Sequence, residues 1–447
     1  MVSRRLVDMV RNPAQLVLAA FVSLIALGTL LLRLPFAFDA GASHPGWLDS
    51  LFWATSATTV TGLGTVEIST FSLFGELVLL ALIQVGGFGI MTIGSVLALV
   101  ASRRVGLRQR MLAQAEIGAI DIGELRSLIA AIARITIAVE GSIALLLFAH
   151  LATTDDTDVG RAAYSSIFHG ISAFNNAGIS LYSDSLTRFA DDPLVIFPIT
   201  ISFVIGGLGF PILVELRRRV RPRQWSLHAR ITLAMTAVLL VLGPLLVLIA
   251  EWTNPGTLGP MGMWEKVQAA WFQGVTPRTA GFNTIDIGAQ REPTLNFMTA
   301  LMFIGAGPAS TSGGIKVTTF AVLGAAMWAE TRGHTDVNVF RRRLPNDIVR
   351  QAMTVALVSV GVVFATAVTL TAISPFQLTD TLFEAASAFG TVGLSTGITA
   401  ALPQSGQLVL IVVMLIGRLG PITFITALAL RQRVRVYRFA EERPIIG

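Results

Sequence analysis

The 447-residue chain has no cysteine, three tyrosines and two lysines, and only 13% of its residues are Asp, Glu, Lys or Arg. Lack of cysteine excludes disulfides and thiolate metal sites and leaves the redox compartment open. Soluble domains carry about 25% charged residues. With half that share, 53% hydrophobic residues and a mean hydropathy of +0.69, the composition belongs in a bilayer. Catalytic patterns are also missing: there is no HExxH and no phosphate-binding P-loop, and His169 stands alone in a short apolar segment, where packing is its simplest role. A membrane-embedded enzyme is therefore disfavoured.

What charge there is, a net +6, is placed unevenly. Of 31 arginines, 24 fall at 4–11, 103–126, 217–230, 332–350 and 431–443, beside or between apolar runs, while intervening loops carry acids, as in Asp155-Asp156-Thr157-Asp158. That asymmetry follows the positive-inside rule and predicts cytoplasmic termini. It also argues against nucleic acid as the partner of the basic surface, which suits anionic lipid headgroups or a docking protein.

A helix needs about 20 apolar residues to cross the hydrocarbon core. Eight runs qualify: 15–35, 70–100, 127–151, 193–215, 230–251, 296–329, 350–373 and 406–430. The first is followed by Ala40-Gly41-Ala42, which has the form of a cleavage site, but Leu16 to Leu32 exceeds a signal-peptide core of about 7–15 residues and is read as a span. Between the members of each pair lies a shorter apolar segment: 47–58, 162–174, 264–275 and 378–388. Asp49, Ser165 and Asp380 near their starts read as N-caps, which the third segment, around Gln268, lacks.

These segments are in register. Phe52/Gly62, Phe168/Gly178, Trp271/Gly281 and Phe383/Gly393 are each ten residues apart, and Gly86, Gly206, Gly305 and Gly417 follow 24 residues later, or 28 in the second case. Such self-similarity has to be read before anything else. It predicts an all-α membrane protein of four repeats, each a span, a re-entrant half-helix and a second span: eight transmembrane helices and four half-helices around one pore. The units are 1–102, 103–219, 220–335 and 336–447.

A turn at membrane depth must be buried in protein or line a watery cavity. Aligned on the glycines, the turns end in Thr59-Val60-Thr61-Gly62, Asn175-Asn176-Ala177-Gly178, Arg278-Thr279-Ala280-Gly281 and Gly390-Thr391-Val392-Gly393. Glycine supplies backbone torsions that other residues adopt at a cost, and rings of carbonyls can replace an ion's hydration shell. The half-helices end here, so their negative dipole ends favour a cation.

With these turns and the phrase Arg278-Thr279-Ala280-Gly281-Phe282-Asn283, nearly the whole chain resembles the Trk/Ktr/HKT superfamily of potassium transporters, and most of all the membrane subunit of a bacterial Ktr potassium-uptake system. The resemblance implies potassium selectivity linked to glycine at all four filter positions. Gly62 stands where some plant relatives that carry sodium have serine. It also implies a homodimer in the bacterial plasma membrane and a separate cytosolic ring that binds nucleotide. No cofactor is expected in this chain, and potassium is substrate.

The run Gly305-Ala306-Gly307-Pro308-Ala309-Ser310-Thr311-Ser312-Gly313-Gly314 is a poor helix sequence inside a span and predicts a cavity-lining loop. The resemblance implies the same: an intramembrane loop that obstructs conduction until it moves. A charge at this depth costs about 3 kcal/mol or more, so Lys316, directly after the run, and Arg418, at matching depth, are assigned to the gate. Arg278 is expected to point behind its turn and brace it, with Glu384 as partner; Arg134 and Glu140, too far apart in sequence for a direct i,i+4 pair, are each expected to serve structural ion pairing or helix packing. Two alternatives compete with potassium uptake. A sodium-permeable or proton-coupled transporter of the same architecture fits the pattern, although the four glycines count against sodium preference. A carrier of organic substrates, typically built from inverted repeats, fits less well with units of one orientation.

Overall fold

The computed structural model describes residues 13–39, 46–103, 122–154, 158–217 and 224–420. It is almost entirely helical. We number the helices α1 (Pro13–Leu32), α2 (Trp47–Thr59), α3 (Leu73–Arg103), α4 (Ile122–Thr154), α5 (Val159–Phe174), α6 (Pro193–Leu208) and α7 (Phe210–Arg217). They continue with α8 (Leu227–Glu251), α9 (Met263–Val275), α10 (Glu292–Phe303), α11 (Val317–Thr331), α12 (Asn346–Ile373), α13 (Leu378–Gly390) and α14 (Gln404–Leu419). A two-residue hairpin, Asn338–Val339 with Arg342–Arg343, precedes α12.

Five described helices contain stretches long and apolar enough to cross a membrane: Ala14–Leu32, Leu73–Ile93, Arg126–Thr153, Leu227–Glu251 and Asn346–Ile373. The bent pair α6 and α7 makes a sixth if counted as one span. The expected spans need correction at one place, run 193–215; the break in run 296–329 is the one that the Gly305–Gly314 sequence predicts. Run 193–215 turns by 100° at Gly209, and run 296–329 is two helices separated by a loop from Ile304 to Lys316. Run 406–430 is helical to Leu419, and its remainder lies outside the described residues, as do the N-terminal and C-terminal arginine stretches and most of 103–126. At Gly209 the cause is Pro211, two residues on, which has no N–H to give the Gly207 carbonyl.

The short helices α2, α5, α9 and α13 match the predicted segments within a few residues at either end. Their capping differs from expectation. Asp49 and Asp380 sit at the third helical position, and Ser165 lies mid-helix in α5. Asp49 reaches back to accept the Gly46 N–H at 2.9 Å, and Glu265, three residues before Gln268, does the same for Gly262 at 3.1 Å. An acid there also suits the positive end of the helix.

Packing runs in a closed cycle. Helix α3 packs against α5, α6 against α9, α10 against α13, and α14 back against α2. The buried phenylalanines Phe52, Phe168, Phe272 and Phe383 are fully enclosed in this arrangement. Outward faces of the long helices stay apolar, with Leu145, Val241, Ile249 and Leu357 more than half exposed, as lipid contact requires.

Candidate functional site

The four glycine-ended turns meet. A Cβ built on Gly62 would lie 2.3 Å from the Ala177 carbonyl oxygen, and one on Gly178 2.8 Å from that of Ala280. On Gly281 it would lie 2.4 Å from the Val392 oxygen, and on Gly393 2.4 Å from that of Thr61. Each glycine thus abuts the carbonyl preceding the next glycine, and the fourth turn closes onto the first. Conformation matches this crowding: the four glycines have φ of +95°, +64°, +78° and +94°. No L side chain fits there without strain and collision.

A second regularity was not foreseen. The residue two before each glycine also has positive φ: Val60 (55°), Asn176 (60°), Thr279 (68°) and Thr391 (51°). Three of these are β-branched, for which the left-handed region is a true outlier. Such strain persists only where the surroundings over-determine it, and here each half-helix does so. The amides of Thr61, Ala177 and Val392 donate to the carbonyls of Ser56, Ser172 and Ser387 at 2.7, 2.8 and 2.9 Å, and Ala280 donates to Thr276 at 3.0 Å. The serine hydroxyls add further ties, from Gly62 N to Ser56 Oγ (3.0 Å), Ile179 N to Ser172 Oγ (3.1 Å) and Gly393 N to Ser387 Oγ (3.2 Å). The serine six residues before the glycine, present in three turns, was the available sequence signal.

With the N–H groups taken, the carbonyls of Thr61, Ala177, Ala280 and Val392 accept no hydrogen bond from any described residue. Backbone acceptors at such a site require another partner, and a bare cation is one. Where the chain leaves the turns, a cavity of about 210 Å³ is lined by all four glycines with Glu67, Ser180 and Asn283, and an adjoining one of about 220 Å³ includes Asp286. The four short helices end at the ring, so their negative ends surround it.

On the side where the half-helices end lies the loop between α10 and α11. It is non-helical, as expected, and folds back on itself through Gly305 N to Ile315 O at 2.8 Å, Val317 N to Ala306 O at 3.1 Å and a Ser310–Ser312 hydroxyl contact at 2.8 Å. It touches two turns. Thr311 Oγ1 is 2.8 Å from the Asn176 amide, and a Cβ on Gly313 would meet Thr391 Oγ1 at 2.3 Å. Arg418, only 4% exposed, donates to the Thr311 carbonyl and, at 3.4 Å, to that of Gly86. Lys316 Nζ donates to the Ser312 carbonyl at 2.5 Å. Gly307, Pro308 and Gly314 lie in the same loop, with Gly307 N bonded to Gly207 O at 2.8 Å. All the residues assigned from sequence to the turns and the loop therefore come together in one place.

The other buried charges are placed differently. Arg278 does not reach Glu384; its recorded side-chain hydrogen bond goes to Thr236 Oγ1 at 3.3 Å. Glu384 is instead satisfied by the hydroxyls of Ser395 and Thr399. The side chain is too far committed to the segment beyond its own turn to serve a neighbour. Arg134 is exposed and donates to Ala130 O at 3.1 Å, whereas Glu140 is buried against Gln84 and Asn175, so the two form no ion pair. His169 packs as expected, bonded to Ser180 at 3.0 Å and stacked on Tyr182.

This geometry has counterparts. A family profile described as TrkH, cation transport protein, matches residues 3–434. The chain belongs to the TrkH family of cation transport proteins. As a TrkH-family member it is a membrane transporter and not an enzyme. It is 41% identical over 421 residues to the Ktr system potassium uptake protein B of Bacillus subtilis, covering 94% of this chain and 93% of that one. Identity to the protein of the same name from Vibrio alginolyticus is 37% over 437 residues, covering 97% and 94%. Among solved structures, the potassium transporter TrkH from Vibrio parahaemolyticus superposes with a TM-score of 0.75 at 19% identity, covering 94% of this chain and 84% of that one. At that identity the likeness speaks for the fold.

Proposed function

We propose that this TrkH-family chain is a potassium-uptake subunit whose four units, 1–102, 103–219, 220–335 and 336–447, surround one conduction path. The observation that carries the reading is the closed ring in which each glycine abuts the carbonyl of the next turn. Thr61, Ala177, Ala280 and Val392 supply ring oxygens that substitute for an ion's water, with the adjoining residues 59–60, 175–176, 278–279 and 390–391 extending the strip towards the loop. Cation entry is favoured by Glu67 and Asp286 beside the ring and by the converging helix ends.

The loop from Gly305 to Gly314 obstructs the path on the other side, and Arg418 and Lys316 hold it there through its carbonyls. Their charge also repels a cation below the ring until the loop moves. The path carries potassium as substrate and needs no cofactor in this chain. The names of the relatives support potassium as the ion and a multi-component system as the setting, so we assign a homodimer in the bacterial plasma membrane, termini cytoplasmic by the arginine distribution, with a separate cytosolic nucleotide-binding ring as regulator.

The test is ion uptake into proteoliposomes holding the purified chain. Potassium uptake well above sodium uptake is expected, with a rate that changes when the cytosolic partner is added. Equal uptake of the two ions replaces this reading with a sodium-permeable transporter; no cation uptake under any condition ends it.

A further inference from the structure

Glu140 is a carboxylate on a membrane-spanning helix, 8% exposed, with no basic partner among the described residues. An acid in that position is costly, and an apolar residue of similar volume would pack for less. Its two oxygens are divided between two amides. Oε1 accepts from Asn175 Nδ2 at 3.0 Å, and Oε2 from Gln84 Nε2 at 3.3 Å. Gln84 Oε1 in turn accepts from the same Asn175 nitrogen at 2.9 Å, which also lies 3.0 Å from Ile171 O. The cluster joins three elements: α3 through Gln84, α4 through Glu140, and the second turn through Asn175.

Asn175 stands three residues before Gly178, in the segment that carries the ring carbonyls of the second turn. Its side chain is lodged in a slot that Gly87 provides, since a Cβ there would come within 2.0 Å of Asn175 Oδ1. The corresponding positions of the other turns are Thr59, Arg278 and Gly390. None of these hydrogen-bonds to an acid among the described residues: Thr59 bonds to Thr55 and Thr61, and Arg278 to Thr236. The next residue, Asn176, is strained at φ 60° and contacts Thr311 of the loop. The second turn is thus held from behind by Glu140 and from below by the loop.

We propose that Glu140 is a positioning residue that acts through Asn175 to set the second turn's carbonyls, and with them the discrimination between potassium and sodium. The proposal rests on the functional reading above. Carbonyl rings discriminate between ions through the placement, number and field strength of the oxygens around the ion, and Glu140 fixes that placement on the turn where the loop also presses.

The experiment compares potassium and sodium uptake by proteoliposomes of the wild type, Glu140→Ala, Asn175→Ala, the double variant and Glu140→Gln. Loss of a buried amide–carboxylate tie is worth about tenfold in an equilibrium, so Glu140→Ala and Asn175→Ala should each lower the potassium-to-sodium ratio about tenfold. The double variant should fall no further than either single one. Glu140→Gln, which keeps one acceptor in place, should recover most of the ratio. Should Glu140→Ala fail to fold, Glu140→Gln and Asn175→Ala carry the test. Reduced total uptake at an unchanged ratio, or additive effects in the double variant, overturns the proposal. A wild type without potassium preference sinks the functional reading instead, so the two failures are distinct.

Discussion

Helices α3 and α6 begin alike and end differently. Gly86-Gly87-Phe88-Gly89 in the first unit continues as helix to Arg103, whereas Gly206-Gly207-Leu208-Gly209 in the second turns by 100°. Both leading glycines do the same work, since a Cβ at Gly86 or Gly206 would lie 2.0 Å from the carbonyl of Thr58 or Phe174 in the last turn of a half-helix. The difference lies two residues after the final glycine, where the first has Met91 and the second Pro211. Proline has no N–H to give the carbonyl four residues back, and the freed Gly207 oxygen is taken by Gly307 N of the loop at 2.8 Å. Phe210 N likewise bonds to Ala309 O at 3.2 Å. The third unit carries its proline differently, as Gly307-Pro308 in the loop five residues past the end of α10, and in the fourth α14 stops at Gly420 (φ +83°), which Pro421 follows in the sequence. A glycine that lets a half-helix approach leaves a span intact; proline just after it opens the span, and the loop fills the opening.

The sharpest way to break this comparison is at the ring that both helices support. Gly281→Ala adds a methyl 2.4 Å from the Val392 oxygen at φ +78°. Strain and overpacking together come to about 3 kcal/mol, so potassium uptake in proteoliposomes should fall about a hundredfold. Unchanged uptake would show that the ring is not the path. Next in size, Met91→Pro should convert α3 into a helix of the α6 kind and lower unfolding stability by about 3 kcal/mol, read by thermal denaturation in detergent. A stable protein with uptake intact would mean that proline is not what separates the two helices.

Arg418→Ala removes the donor to Thr311 O and Gly86 O, at a cost to the loop's observed position of about 2 kcal/mol. Basal potassium flux should rise several-fold, while the potassium-to-sodium ratio stays near that of the wild type. A selectivity change without a rate change would place Arg418 in the ring and not at the loop. The smallest effect is expected of Ser387→Ala, which loses one tie to Gly393 N and about 1 kcal/mol. It should lower thermal stability by a few degrees and leave gating unaltered.

Much of this site could be read from residues alone. Spacing from Phe52 to Gly62 and its counterparts located all four half-helices, and the poor helix formers from Gly305 to Gly314 located the loop. Partners were harder. Glu384 looked available to Arg278, yet Ser395 and Thr399 of its own unit satisfy it first. The bend at Gly209 has its sequence signal in Pro211, which the continuous apolar run 193–215 around it masks.

Apolar length, arginine placement and glycine spacing determined a bilayer protein with four glycine-ended turns, because those properties follow from burial and backbone torsion, both local to the chain. Which carbonyl each glycine faces, which amide holds Glu140 and what occupies the gap at Gly207 were decided by tertiary structure. These are contacts between residues tens to hundreds of positions apart. Each such hydrogen bond depends on ångström-scale separation, which residue type and spacing along the sequence do not encode.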